Sequence, residues 1–178
     1  NHIPEARQNE AKMKKWVLTL ITAALVCSCG IYSFSGTSIQ PDVTTVSIDL
    51  FEYKALKVNP TLSNDLTEGL KTKFRQMTRL EQVEENADLE IFGEVTGYSI
   101  SASSITADEV AASNKLTITV KASFTNRKYP EDDFTDKVFS GYAEYDSNQT
   151  FESVEATLTA EIVEKIVDDI FNASVAQW

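Results

Sequence analysis

Leu116-Thr117-Ile118-Thr119-Val120-Lys121-Ala122-Ser123-Phe124 alternates apolar and polar side chains without a break. Successive residues of a strand point to opposite faces, so Leu116, Ile118, Val120, Ala122 and Phe124 share one face and Thr117, Thr119, Lys121 and Ser123 the other. A strand that is dry on one side and wet on the other belongs to a sheet covered on a single face. Working upstream, Leu89, Ile91, Gly93 and Val95 alternate with Glu90, Phe92 and Glu94, which predicts a strand over about 88–100. Earlier still, Val46, Ile48 and Leu50 alternate with Ser47, Asp49 and Phe51 in a first strand. The Ser/Ala/Thr-rich stretch 101–113 is a long hairpin loop or a continuation of its strands. Downstream, the polar run from Asn126 to Asp133 reads as a hairpin loop, and a fourth strand follows over about 137–145.

Two segments repeat at the helical period instead. Asn59-Pro60 supplies an N-cap and a proline at the first helical position. Leu62, Leu66, Leu70 and Phe74 then recur every four residues, with Met77 three further on, on a helix ending near Thr78. Near the end of the chain Val154, Leu158, Ile162, Ile166 and Ile170 repeat in the same way, widened by Val163, Val167 and Phe171. So broad a stripe faces a sheet, and Glu152 and Glu155 suit the positive end of that helix. The expected fold is therefore α+β, in the order β-α-β-β-β-α, with two helices packed on one face of a four-stranded mixed sheet. Tyr98, Phe139, Tyr142 and Tyr145 are expected to pack within it.

The front of the chain reads as an address. Lys14-Lys15 precedes an apolar run from Trp16 to Val26, a length suited to a signal-peptide core and short of the roughly 20 residues needed to span a bilayer. Val26-Cys27-Ser28-Cys29 then resembles a bacterial lipobox, with an aliphatic residue at −3, a small one at −1, and Cys29 as the lipid acceptor. The expected organisation is over-called upstream sequence at 1–12 before an initiating Met13, a lipoprotein signal peptide at 13–28, a lipidated tether at 29–42, and a sandwich domain at 43–178. Three acyl chains on Cys29 hold a protein to its membrane essentially permanently, at about 0.8 kcal/mol per buried methylene. With no Asp after Cys29, the periplasmic side of the outer membrane is the expected location.

Composition narrows the chemistry. Against 16 Lys and Arg stand 27 Asp and Glu, a net charge of −11, so phosphate backbones are repelled and no nucleic-acid partner is expected. The residues from Cys29 onward hold no His, which leaves no Cys–His zinc site and no catalytic triad. The six glycines form no phosphate-binding loop. Glu84-Glu85, Asp132-Asp133 and Asp168-Asp169 are sequence neighbours. Adjacent residues diverge by about 100° on a helix and face oppositely on a strand, so none of these pairs makes a catalytic dyad. Catalytic residues, metal ligands and cofactors are all expected to be absent, and the protein is expected not to be an enzyme.

Several segments, taken in order, carry a family likeness. They are Cys29-Gly30-Ile31-Tyr32; Leu89-Glu90-Ile91-Phe92-Gly93 with Tyr98; Asn114 to Val120 leading into Phe124-Thr125-Asn126; Phe139-Ser140 with Tyr142; and Val167-Asp168-Asp169-Ile170-Phe171-Asn172 with Ala176 and Trp178. Together they resemble the LptE family of lipopolysaccharide-assembly lipoproteins. The resemblance implies a small α/β sandwich that plugs and supports assembly of the outer-membrane β-barrel LptD, and assists lipopolysaccharide delivery to the outer leaflet. In that family basic residues are thought to touch the glycolipid. Here the candidates are Arg127 and Lys128 in the hairpin tip, with Lys71, Lys73, Arg75 and Arg79 around the first helix. The large negative charge favours plugging over direct glycolipid binding. The alternative is another periplasm-facing lipoprotein module, a secretion-pore pilot or an envelope scaffold.

Overall fold

The computed structural model describes residues 38–103 and 113–176. Cys29, the expected signal peptide and most of the expected tether lie outside the described residues, as do the middle of the 101–113 stretch and Trp178. The described residues belong to one compact unit spanning Gly36–Trp178.

The alternating segment is strand β5, Ser113–Asn126. It runs antiparallel between β4, Leu89–Ala102, and β6, Phe134–Asp146. Leu116, Ile118, Val120, Ala122 and Phe124 are buried as the period requires. On the far side of β4 lies β1, Thr45–Ile48, which pairs with it in parallel. The two helices are α1, Leu62–Met77, and α2, Phe151–Val175. Their buried stripes, Leu62, Leu66, Leu70 and Phe74 on α1 and Leu158, Ile162, Ile166 and Ile170 on α2, join the buried face of the sheet in one core. Phe74 and Phe171 meet edge to face with ring centroids 5.0 Å apart, locking the two helices together.

The sheet has six strands where the sequence reading has four. The additions are β2, Glu52–Tyr53, paired with β4, and β3, Glu81–Gln82, at the edge beside β1. The order is β3-β1-β4-β5-β6, with β2 off that path. Neither short strand has a period to display, because two residues cannot alternate visibly.

Three further corrections have physical causes. Leu50 is 64% exposed and Phe51 is buried, the reverse of the expected alternation. Four positions separate Ile48 from Glu52, but only three separate their partners Ile91 and Glu94. The extra residue turns the following side chains over, as any one-residue slip must. Phe51 then fills the notch over Gly93, where a Cβ would lie 2.6 Å from its ring. Helix α1 begins after Thr61, not at Pro60. Asn59 still serves the helix end from two residues outside, its Oδ1 accepting from the backbone N–H groups of Thr61 and Leu62 at 3.2 Å each. Finally, Met77, on the last turn of α1, and Tyr142 are exposed, whereas Tyr98, Phe139 and Tyr145 pack in the core. Tyr142 stands on the helix-free face of the sheet, opposite Thr117, with only the Lys115 ammonium over its ring, 5.1 Å from the centroid, among the contacts described for it.

Candidate functional site

The hairpin tip begins where the β4–β5 ladder ends, at the Leu89–Asn126 pair. Asn126 is buried, and its Oδ1 accepts from the backbone N–H groups of Lys128 and Tyr129, both at 3.1 Å. That bend brings Arg127 and Lys128 side by side and aims them back toward the start of β4. The Arg127 guanidinium donates to the Glu90 carboxylate on β4. The Lys128 ammonium lies 3.1 Å from Asp88 Oδ1 and donates to the Asp42 carbonyl. Pro130–Asp132 then forms a single 3-10 turn that leads into β6.

Asp88 is the hub of this end. Its Oδ2 accepts from Thr44 N at 2.8 Å, Thr44 Oγ1 at 3.1 Å and Thr45 N at 3.2 Å. The Thr44 N–H holds its carboxyl far below the usual carboxylate range; burial opposes this, and Lys128, the Thr44 hydroxyl and the Thr45 N–H add to it. Around the hub, Tyr129 donates its hydroxyl to Asp42 at 2.9 Å, which raises the Tyr129 pKa. Gln40 reaches Asp132 at 3.1 Å, and Ser38 N donates to the carbonyl of Val175 at the end of α2. A cavity of about 200 Å³ lies beneath, lined by Ser38, Gln40, Leu89, Phe124, Asn126 and Val175. The segment leading into the domain is thus stitched to the hairpin tip and to the end of the long helix.

The structure therefore brings Arg127 and Lys128 together but gives each a carboxylate. A phosphate at this tip would have to compete with Glu90 and Asp88 for the same N–H groups, in a chain already strongly negative. The basic groups on the first helix are elsewhere and also engaged. Lys71 pairs with Glu68 at 3.1 Å and Lys73 with Asp168 at 2.8 Å, while Arg75 reaches Gln82 at 3.5 Å. These contacts leave the tip as a staple of charge pairs, able to hold the strand ends in register.

Two polar arrangements escaped the sequence reading. One is Asp88 itself, which sits in a polar stretch with no motif to mark it. The other centres on the buried Tyr98, whose hydroxyl donates to Glu155 Oε1 at 2.6 Å and receives Asn59 Nδ2 at 3.2 Å. Thr159 Oγ1 stands 3.4 Å away. Desolvation raises the Tyr98 pKa, and the bond to Glu155 raises it further. This network ties the start of α1, strand β4 and the first turns of α2. Only the aromatic character of Tyr98 is visible in sequence.

Among the described residues no group of three or more His, Cys, Asp or Glu is placed to hold a metal, and no helix is long and apolar enough to cross a membrane. The family model described as LptE: Lipopolysaccharide-assembly matches residues 43–174. No curated protein matches the chain. Among solved structures, a minor lipoprotein from Acinetobacter baumannii is similar at 16% identity, covering 72% of this chain and 89% of its own, with a TM-score of 0.46. A hypothetical protein from Chlamydia trachomatis is similar at 9% identity, over 75% of this chain and 99% of that one, with a TM-score of 0.48. Lipoprotein B from Nitrosomonas europaea is similar at 12% identity, over 74% and 85% of the two chains, with a TM-score of 0.45.

Proposed function

From the premise that the chain belongs to the LptE lipopolysaccharide-assembly family, we propose that it is an outer-membrane lipoprotein that plugs the LptD β-barrel and supports its assembly. Cys29 is its lipid anchor, on the periplasmic side. The family match over residues 43–174 is the observation that carries this reading. The physical character of the domain supports it. A wide barrel lumen is wet and lined with polar side chains, so a plug has to be rigid and polar outside. Here one continuous core holds both helices to one face of the sheet, and the other face carries Thr117, Thr119, Ser140, Lys121 and Glu94, with Phe92, Val138 and Tyr142 exposed among them.

The role is structural more than ligand-binding. Arg127 and Lys128, the tip cations that a glycolipid phosphate would seek, are matched by Glu90 and Asp88. Lipopolysaccharide is thus a client of the complex that this protein completes, and direct contact with it is secondary.

The test is depletion of the protein in its native cell, together with purification of the native complex. The expected result is a very large β-barrel copurifying with the protein, and loss of surface lipopolysaccharide on depletion. Unaltered surface glycolipid, or recovery of a secretin ring in place of the barrel, would overturn the assignment. Mass spectrometry of the purified protein should find a triacylated Cys29 at the N-terminus; an unmodified, uncleaved chain would refute the anchor.

A further inference from the structure

The two edges of the sheet are very unlike. One ends in β3, two residues long, whereas the other is the whole of β6, Phe134–Asp146. Among the described residues β6 pairs only with β5, so one side of a 13-residue strand presents unpaired backbone N–H and C=O groups. Proteins usually protect such an edge with charges, a proline, a bulge or a covering element. Here charges stand only toward the two ends of the strand, and the irregularity at one of them. Asp136 adopts a left-handed conformation, φ 51°, where the β5–β6 register shifts. Beyond it, Val138-Phe139-Ser140-Gly141-Tyr142-Ala143 carries neither charge nor proline, and Val138 and Tyr142 are 58% and 61% exposed.

The geometry points to β6 as a strand-addition site for an extended segment of a partner chain. That segment is basic at both ends and uncharged, with β-branched or aromatic residues, between them. Charge selects this occupant. The free strand is flanked by Asp136 at one end and by Glu144 and Asp146 at the other; Glu144 accepts from Ser103 and Asp146 from Asn148, while Lys115, directly across from Glu144 on β5, sets its ammonium over the Tyr142 ring. Lys137 is turned to the inner face, over the rings of Phe134 and Phe139.

A second copy of this chain is a poor occupant. The register that pairs all of β6 with its twin is centred on Ser140 and sets Asp136 against Glu144 of the copy, twice by symmetry. Like charges directly opposite destabilise a strand pair, and the net charge of −11 adds to the repulsion. A partner with Lys or Arg opposite Asp136 and Glu144, eight positions apart, converts both clashes into attractions. The backbone ladder supplies affinity, while Val138 and Tyr142 offer side-chain contacts on the open face. This inference rests on the edge alone and is independent of the family assignment.

The probe is the labelled nonapeptide Lys-Thr-Val-Thr-Val-Thr-Val-Thr-Lys, titrated into the full chain by fluorescence anisotropy, with amide hydrogen exchange to locate it. Saturable binding that weakens with salt, with new protection confined to β6, is the expected result. Replacing both terminal Lys of the peptide by Glu, or its central Val by Pro, should weaken binding about tenfold or more. Val138→Lys should do likewise; its side chain is solvent-facing, so folding is retained. The paired change Asp136→Lys with Glu144→Lys should reverse the preference toward the Glu-ended peptide, a readout that misfolding cannot mimic. Equal binding of all three peptides, protection outside β6, no binding at millimolar peptide, or a β6-mediated dimer of the chain alone would each overturn the proposal.

Discussion

Replacing Asp88 by Asn keeps the shape of the side chain and removes its charge, which makes it the sharpest probe of the staple at the tether end. Asp88 Oδ2 accepts three hydrogen bonds, and Oδ1 faces the Lys128 ammonium at 3.1 Å. Exchanging a charged for a neutral acceptor forfeits about 1 kcal/mol per bond when dry. The two bonds from Thr44 are solvent-exposed and the Lys128 pair is partly so, which screens their share. The expected loss is about 2 kcal/mol at neutral pH, a fall of about 5 °C in Tm for a domain of this size. The sign with pH follows from the depressed folded pKa of Asp88. Its contribution is complete above the unfolded-state value of about 3.9 and disappears as pH falls toward the folded value. Urea unfolding of parent and Asp88→Asn at a series of pH values should therefore show two curves well separated at pH 7 that converge below about pH 4. A separation under about 0.5 kcal/mol at pH 7, or one that persists unchanged in acid, would refute the role given to this carboxylate.

Tyr98→Phe removes the hydroxyl shared by Glu155, Asn59 and Thr159 and should cost about 2 kcal/mol; a double-mutant cycle with Glu155→Gln should show coupling, and additive losses would count against the network. Gly93→Ala would put a methyl 2.2 Å from the Lys121 carbonyl and 2.6 Å from the Phe51 ring, so it should destabilise by about 3 kcal/mol or more. A Gly93→Ala protein with unchanged Tm would show that the strands can spread at little cost. Arg127→Glu with Lys128→Glu should leave barrel copurification intact while lowering Tm by a few degrees, since each cation is replaced beside its own carboxylate. Complete loss of the complex in that variant would make the tip an interface.

Part of this architecture follows from local pattern. The alternation from Leu116 to Phe124 has only one reading, because a period of two places those five side chains together solely in a strand. The four-residue spacing on α2 is equally restrictive, and the buried stripe from Leu158 to Ile170 lies where that spacing puts it. Patterns failed where chain connectivity intervened. A single extra residue between Ile48 and Glu52 reversed the faces of Leu50 and Phe51, and no composition or period in residues 43–53 announces that slip. The candidate site was half legible. Arg127 and Lys128 are conspicuous as a basic pair, but their partners Glu90 and Asp88 come from the start of the neighbouring antiparallel strand, far back in the chain, and are unremarkable in sequence.

By itself the sequence determined the class of fold, the two amphipathic helices, the long strands and the acidic surface, and its ordered segments carried the family likeness. These are properties of periodicity and composition, which local chemistry imposes on each segment alone. Only the tertiary structure decided which carboxylate meets which cation, which tyrosine is buried and which stands in water, and which strand is left with an open edge. Each of those depends on register between segments tens of residues apart, set by packing of the whole core.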